Sequence, residues 1–184
     1  MNTDNIPESN VYKMGFVVRD LDEAMNRYGR LYRIDRWYRL LRDQVGEDAA
    51  VSGSELPDDE EYEITVGFAR RMEIDLIVVA SESDNTYARF LKENGEGLHH
   101  ISFCVRNIKT AMEDYEKLGY EVISKGVHGE GHAVRYHISM ARSDDPDGRV
   151  IELSEIRFGA LRIMHPPRSL LYSIMSGNLE PIYD

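Results

Sequence analysis

The 184-residue sequence predicts an α+β fold in which two tandem β-α-β-β-β modules pair into a curved mixed sheet around a cavity. Three observations support this prediction: an internal repeat, the same order of elements after each copy, and polar residues inside apolar strands. Residues 11–31 align with residues 98–118 at an offset of 87. Repeats of this kind indicate duplicated structural units. The identical positions are Phe16/Phe103, Val18/Val105, Arg19/Arg106, Ala24/Ala111, Met25/Met112, Tyr28/Tyr115 and Leu31/Leu118.

Each copy predicts a strand, a tight turn and an amphipathic helix. The apolar strand ends at Asp20 in the first copy and at Asn107 in the second, and both residue types are favoured at helix N-caps. Asp20 and Glu23 have the spacing of a capping box. Apolar residues then recur at helical spacing in both copies.

Three further strands are predicted after each helix. In the first module they are WYRLL (37–41), EITVGFA (63–69) and MEIDLIVVA (72–80), with a polar stretch over 42–61 and a hairpin turn at Arg70 and Arg71. In the second module they are YEVISKG (120–126), AVRYHISMA (133–141) and RVIELSEI (149–156), with a turn at SDDPDG (143–148). Four strands cannot bury both faces alone, so the modules are expected to pair.

These elements divide the chain into an N-terminal extension (1–10), a first module (11–80), a linker helix (81–97), a second module (98–156) and a C-terminal helical tail (157–184). The linker helix ends in Asn-Gly, which suits a left-handed C-cap. The tail segment PPRSLLYSIMSGN predicts a short helix. It could cap the cavity mouth, pack against a second subunit in a homodimer, or lie on the outer face of its own module.

Composition restricts the classes of partner. The net charge of −11 argues against nucleic acid and anionic membranes, because binding to phosphate groups depends on cationic side chains. Cys104 is the single cysteine, which fits a reducing compartment. The sequence shows no signal peptide and no run of about 18 apolar residues. We therefore expect a cytoplasmic protein with a small-molecule substrate.

The stretch GEGLHHISFCVRNI (95–108) contains two adjacent histidines at the start of a predicted strand. Side chains alternate across a strand, so neighbours face opposite sides. His99 is predicted to join Ile101 and Phe103 on the apolar face beneath the helix, in a structural role. His100 is predicted to join Ser102 on a polar face that lines the cavity.

Two carboxylates lie within apolar strands, Asp75 in MEIDLIVVA and Glu152 in RVIELSEI. An unpaired buried charge is costly, so each requires a partner unless it is half-exposed. The partners could be Arg71 or Arg149, or both acids could share a metal or catalytic pocket with His100.

The chain resembles the vicinal oxygen chelate superfamily, which has the glyoxalase/bleomycin-resistance/extradiol-dioxygenase fold. The resemblance covers residues 11–156 and is carried by FLKENGEGLHHISFCV (90–105), GFVVRDLDEAM (15–25) and IDLIVV (74–79). Within the superfamily, the chain resembles methylmalonyl-CoA epimerase-like and glyoxalase-like proteins. The resemblance implies one divalent metal inside the curved sheet and no organic cofactor.

Carried over residue by residue, the resemblance implies that His100, Glu152 and Asp75 are metal ligands. The remaining ligand, a histidine in the family, falls on Lys13, and the repeat agrees because the offset of 87 converts Lys13 into His100. A protonated lysine has no lone pair for a metal. Three ligands could hold a metal with open positions, the ammonium could take the metal's role as a tethered cation, or a salt bridge could mark an inactive site.

The resemblance implies an isomerase, epimerase or lyase that acts on a small carbonyl or thioester compound through an enolate-like intermediate. Glu152, Lys13 and Asp75 are the expected catalytic residues, and Glu60 or Glu61 is a further candidate acid. The alternative is a protein of the same fold that binds or sequesters a small molecule without chemistry. An extradiol dioxygenase is a third possibility, although its two-histidine, one-carboxylate set lacks a histidine at Lys13.

A further group of residues is expected near the substrate. Trp37, Tyr38 and Tyr62 could line an aromatic pocket, although aromatic residues in strands are more often core. Of the remaining histidines, His137 is the nearest candidate, His132 could lie at the cavity rim, and His128 and His165 are predicted in loops. A surface position is favoured for each of them. Arginines that could offset the net acidity for an anionic substrate are Arg19, Arg36, Arg39 and Arg106.

Overall fold

The computed structural model describes residues 9–41, 62–70, 72–80, 85–129, 131–145 and 148–182. The candidate acids Glu60 and Glu61, and Arg71 of the predicted hairpin turn, lie outside the described residues. The helices are α1 (Leu21–Tyr32), α2 (Thr86–Asn94), α3 (Ile108–Glu116) and α4 (Arg168–Met175). The strands are β1 (Ser9–Val18), β2 (Trp37–Leu40), β3 (Tyr62–Ala69), β4 (Met72–Val79), β5 (Gly97–Val105), β6 (Glu121–His128), β7 (Ala133–Ala141), β8 (Val150–Phe158), β9 (Leu161–Arg162) and β10 (Leu179–Pro181).

The strands of the described residues form one mixed sheet in the order β10-β2-β3-β4-β1-β5-β8-β7-β6, with β9 paired to β8. The two modules join where β1 and β5 run antiparallel. Within each module the first strand is parallel to the last, β1 to β4 and β5 to β8. The sheet curls into a half-barrel, which confirms the predicted fold class.

The sequence repeat becomes an approximate twofold axis between β1 and β5. In the repeat, Lys13 corresponds to His100 and Gly15 corresponds to Ser102. Across the two strands, Lys13 pairs with Ser102 and Gly15 pairs with His100, as a twofold axis requires. The same relation extends outward, because Gly15 pairs with Asp75 as Ser102 pairs with Glu152. The four positions that the resemblance assigns to a metal are thus two symmetry-related pairs.

The convex side of the sheet is covered by α1 and α3. Asp20 accepts a hydrogen bond from the Glu23 backbone N–H at 2.9 Å, and Asn107 accepts one from that of Thr110 at 3.1 Å, so both N-caps form as predicted. The apolar stripes of the two helices bury against the sheet, with Ala24 and Ala111 packed against it at 1 % and 0 % exposure.

The concave side is covered at its two ends by α2 and α4. Phe90 of α2 packs against Val17 and Ile77. At the other end Leu171, Ile174 and Met175 of α4 are buried in one apolar cluster with side chains of both modules, namely Tyr12, Tyr38, Val66, Phe68, Cys104 and Ile156. The tail helix therefore lies inside the curve of the sheet rather than on an outer face. None of the described helices is long and apolar enough to span a membrane.

Candidate active site

Two β-bulges decide which side chains of the central strands face the concave side. The β1–β5 register shifts between Val11 and Lys13 and again between Gly15 and Phe16, so Tyr12 and His99 are the extra residues. The offset of 87 relates these two residues as well. Each bulge places two consecutive side chains on the concave face, Tyr12 with Lys13 and His99 with His100.

The bulge corrects the prediction for His99. Strict alternation would place it with Ile101 beneath a convex helix, but the extra residue in β5 turns it to the concave side. Its ring packs edge-on against Tyr87 and Phe90 of α2, with centroid distances of 4.8 and 5.1 Å. Burial lowers the pKa of His99 to about 4, so the ring is neutral at pH 7.

The ammonium group of Lys13 lies between two buried carboxylates. Its Nζ is 3.1 Å from Oε1 of Glu152, 3.1 Å from Oε2 of the same residue and 3.3 Å from Oδ2 of Asp75. The three residues are 6 %, 7 % and 4 % exposed. Burial alone would lower the pKa of Lys13, but the attraction of Glu152 and Asp75 is larger and raises it. Lys13 is therefore a fixed positive charge.

Glu152 has additional partners. Ser102 donates a hydrogen bond to its Oε1 at 2.9 Å, Ser154 donates a longer one at 3.4 Å, and Nδ1 of His137 lies 3.5 Å from Oε2. Burial alone would raise the pKa of Glu152, but Lys13, followed by His137, holds it well below its usual range. Glu152 is therefore an ionised counter-charge with its oxygens engaged.

Asp75 and His100 have polar atoms without partners. Oδ1 of Asp75 and Nε2 of His100 are buried and form no hydrogen bond with another described residue, and Nε2 lies 3.9 Å from Oδ2 of Asp75. Burial, partly offset by Lys13, raises the pKa of Asp75 to about 7. Burial, reinforced by Lys13, lowers the pKa of His100 well below its usual value. A carboxyl group whose pKa is raised by burial thus faces a neutral imidazole.

Gly15 makes room for the His100 ring. A Cβ atom at this position would overlap the ring of His100, its cross-strand partner. Gly126 makes the same kind of room for His137. The imidazoles of His100 and His137 in the cluster of Lys13, Asp75, His100, His137 and Glu152 therefore each lie over a glycine of the neighbouring strand, where no side chain would fit beneath the ring.

A second polar layer lies next to this cluster. The Tyr12 hydroxyl donates a hydrogen bond to Ser154 at 2.8 Å, and Nη1 of Arg135 lies 3.0 Å from both carboxylate oxygens of Glu73. Nη1 of Arg135 also lies 3.5 Å from the Tyr12 hydroxyl. The sequence analysis missed this layer, although Glu73 and Arg135 each lie two residues from a predicted site residue on an apolar strand. That period-two spacing was the available signal.

Comparison with known proteins assigns the family. Residues 12–137 match the model of the glyoxalase/bleomycin resistance protein/dioxygenase superfamily. The chain belongs to this superfamily. A search of curated proteins found no match.

Solved structures of the superfamily fold agree with this membership. Methylmalonyl-CoA epimerase from Mycobacterium tuberculosis is 18 % identical with a TM-score of 0.50, over 84 % of this chain and 91 % of that one. A hypothetical protein from Bacillus halodurans is also 18 % identical, with a TM-score of 0.53 over 84 % and 99 %. A mutant of 4-hydroxymandelate synthase from Streptomyces coelicolor is 12 % identical with a TM-score of 0.60, over 92 % and 54 %. At these identities the similarity establishes the fold alone.

Lys13 lies at the position where the resemblance implies the remaining metal ligand. As arranged in the structure, the ammonium occupies the space between the carboxylates of Asp75 and Glu152, and an ammonium has no lone pair to donate. Across the ranges that the structure describes, no group of three or more His, Cys, Asp or Glu side chains is placed to hold a metal ion. Among the described residues, this donor set does not fit a divalent metal, and no two-histidine, one-carboxylate iron set is formed there.

The other predicted substrate contacts fall into different places. Trp37 corrects one prediction, because it is buried on the convex side against Ile34 and Gly67 and cannot share a pocket with Tyr38. Tyr38 faces the concave side near α4. Tyr62 packs against Tyr87 at the α2 end, with centroids 4.8 Å apart.

The last residues predicted from the sequence are one arginine and four histidines. Arg106 is exposed beyond the end of β5 and does not join the cluster. His137 joins it through Glu152. His132 and His165 are exposed outside the strands, but the prediction of a loop position for His128 is wrong, since it ends β6 and stacks on His137 with centroids 4.8 Å apart.

Proposed function

We propose that this protein acts on a small carbonyl compound through an enolate-like intermediate without a divalent metal, with Lys13 as the electrophile. The observation that carries the proposal is the position of the Lys13 ammonium between Asp75 and Glu152, at 3.1–3.3 Å from their oxygens. The superfamily fold supports it because Lys13 and His100 are equivalent positions under the twofold relation, and the resemblance implies a metal ligand at each of them.

Lys13 supplies the positive charge that an enolate-like transition state needs. An ammonium has three donors. The proposal assigns one N–H to the two equally close oxygens of Glu152, one to Oδ2 of Asp75 and the third to a substrate carbonyl oxygen. A fixed donor in a water-poor site stabilises developing negative charge on that oxygen. Glu152 keeps the lysine protonated and in place.

Asp75 is the proposed base. Its Oδ1 has no partner among the described residues, so it is free to take a proton from the carbon next to the carbonyl group. As the C–H bond breaks, its electron pair forms the C=C bond and the carbonyl pair moves to the oxygen held by Lys13. With a hydroxyketone, Asp75 then returns the proton to the former carbonyl carbon while the adjacent hydroxyl passes its proton to the enolate oxygen and becomes the new carbonyl. With a β-leaving group, the enolate pair re-forms the carbonyl and the C=C pair expels the leaving group with its bonding electrons, while the proton stays on Asp75.

The arrangement favours a proton shift or an elimination over inversion at carbon. Inversion requires a proton donor on the opposite face of the substrate, whereas Nε2 of His100 lies 3.9 Å from Asp75 and therefore on the same side. His100 is placed to orient the substrate by a hydrogen bond. Access is proposed from the His137 side, because the side chain of His137 is the most exposed of the cluster at 18 %.

Proton exchange in deuterated water tests the chemistry. NMR of a panel of hydroxyketones and thioesters should show loss of an α-proton signal for at least one compound with the native protein. Asp75→Asn should abolish that exchange, while Asp114→Asn, which removes a partly exposed carboxylate that pairs with Lys117 outside the site, should leave it unchanged. Absence of exchange across the panel would contradict the reaction.

Metal content tests the electrophile separately. Native protein purified without chelator is expected to carry no stoichiometric metal, and any exchange activity should survive chelator. Lys13→His supplies the missing lone pair beside Asp75, His100 and Glu152, so this variant should bind one Zn²⁺ or Co²⁺ per chain. A tightly bound stoichiometric metal in the native protein would refute the role of Lys13.

A binding protein without chemistry is the second candidate. The observation that favours it is that Lys13 and Glu152 already satisfy each other's charge in a closely packed site. Such a protein would bind a compound from the panel without exchange and would keep its affinity in Asp75→Asn and Glu152→Gln. An enolising enzyme would lose turnover in both variants.

A further inference from the structure

A cleft on the concave side collects positive charge in an otherwise acidic chain. Its volume is about 620 Å³, and it lies where the α1–β2 connection, the β3–β4 hairpin and the start of α4 meet. The side chains that matter are three guanidinium groups and three aromatic rings: Arg36, Arg70, Arg168, Tyr38, Phe68 and Tyr172. The chain has a net charge of −11, so this concentration of arginines is a local feature that the composition does not suggest.

The arginines of the cleft have spare hydrogen-bonding capacity. Arg36 and Arg70 are exposed and form no hydrogen bond or salt bridge with another described residue. Arg168 is 42 % exposed at its side chain and has one partner among the described residues, Asp35, whose Oδ1 lies 3.1 Å from Nη2. Guanidinium groups that converge in a cleft bind phosphate or carboxylate through paired N–H donors.

The start of α4 adds to the attraction for an anion. The helix begins at Arg168, and its N-cap is Pro167, which has no side chain able to accept a hydrogen bond. The first amide groups of a helix lack intrahelical partners and carry a partial positive charge. Pro167, Arg168 and Ser169 all line the cleft.

An aromatic surface forms the wall of the cleft. The Tyr172 ring lies 5.4 Å from the Tyr38 ring and 6.0 Å from the Phe68 ring, measured between centroids. Tyr172 is nevertheless 41 % exposed, unlike Tyr38 and Phe68, which are buried. A ring held in place by two neighbours, with part of its surface open, suits stacking by a planar group.

The cleft is separate from the Lys13 cluster. Leu171 and Met175 of α4 and Tyr12 of β1 are 1–2 % exposed and fill the space between the two. A ligand in the cleft therefore does not reach Lys13 while α4 stays in place. The inference stands independently of the reaction proposed for that cluster.

We infer that this cleft binds a small organic phosphate that also carries a planar ring. The phosphate lies among Arg36, Arg70 and Arg168 at the start of α4, and the ring stacks on Tyr172. We assign both features to the ligand because the three arginines account for binding of a phosphate, whereas the exposed face of Tyr172 accounts for binding of a ring.

Calorimetric titration with three probes tests the inference. Adenosine monophosphate carries both features, inorganic phosphate carries the charge alone, and adenosine carries the ring alone. Adenosine monophosphate should bind more tightly than either of the others. Arg70→Ala should weaken it by about tenfold, because a charge-assisted hydrogen bond is lost. Tyr172→Leu should weaken it by about fivefold and leave phosphate binding unchanged.

Two control variants make the test specific. Asp35→Asn releases Arg168 from its partner and should tighten binding by about threefold, as expected for the loss of an exposed ion pair. Arg142→Ala removes a positive charge that pairs with Asp144 outside the cleft and should have no effect. Equal weakening by Arg142→Ala and Arg70→Ala, equal affinity for phosphate and adenosine monophosphate, or no binding of any probe would overturn the inference.

Discussion

The two bulged segments of the central strands, Tyr12–Lys13 and His99–His100, have the same backbone and different chemistry. Each presents two consecutive side chains to the concave face, and the approximate twofold axis exchanges them. The first segment provides a phenol and an ammonium that join Ser154, Glu152 and Asp75. The second provides two imidazoles whose pKa is lowered by burial.

This difference shows that the two repeats share the bulged backbone geometry but not the chemical type of the side chains that the bulge presents. A bulge aims side chains whatever they are, because it depends on one extra residue in a ladder. The protonation state of each side chain then depends on the groups that it contacts. Lys13 meets two carboxylates and stays charged, whereas His99 meets Tyr87 and Phe90 and stays neutral.

The largest effect is expected where the first segment loses its charge. Lys13→Met leaves the buried carboxylates of Glu152 and Asp75 without a cation, so the free energy of unfolding should fall by about 3–5 kcal/mol. Urea denaturation at pH 7 measures it. Lys117→Met, which removes an exposed lysine paired with Asp114, should change little. Equal effects of the two variants would show that the Lys13 pair is not buried in solution.

The next effect concerns the glycines beneath the imidazoles. Gly15→Ala forces the buried ring of His100 to move and should destabilise the protein by about 1–3 kcal/mol, as overpacking does. Gly126→Ala should cost less, because the His137 side chain is 18 % exposed and can swing outward. Thermal unfolding of both variants checks the order, and the reverse order would place the rigid imidazole at His137.

The dependence of stability on pH below neutrality tests the second segment. The pKa of His99 is about 4 in the folded protein and about 6.5 when unfolded, so its stabilising contribution is present above pH 6.5 and is lost as the pH falls towards 4. Between pH 7 and pH 5 the native protein should lose about 2 kcal/mol more stability than His99→Phe. Burial raises the pKa of Asp75, so the contribution of Asp75 to stability changes with pH in the opposite direction. That contribution is the same in both proteins and cancels in the comparison. Parallel stability curves would contradict a neutral buried His99.

The smallest effect is expected at the phenol of the first segment. Tyr12→Phe removes the hydrogen bond to Ser154 and keeps the apolar packing against α4, so the loss should be about 1 kcal/mol. Chemical denaturation measures it. A change as large as that of Lys13→Met would mean that Tyr12 holds the charged cluster together.

Local patterns in the sequence determined the modules. The strand–turn–helix repeat, the caps at Asp20 and Asn107 and the pairing of two modules follow from periodicities of two and 3.6 residues and from N-cap chemistry, which act over a few residues. The same patterns picked out Asp75, His100 and Glu152, because a charge or an imidazole inside an apolar strand needs a partner.

Only the tertiary structure decided which side chains meet. The bulges at Tyr12 and His99 overturn strict alternation, and they depend on how β1 and β5 pair, not on either strand alone. The ion pair between Lys13 and Glu152 joins residues 139 positions apart. The place of α4 inside the curve depends on apolar surface left open by both modules. Register, long-range pairing and shared burial are properties of the assembled sheet, and no local periodicity encodes them.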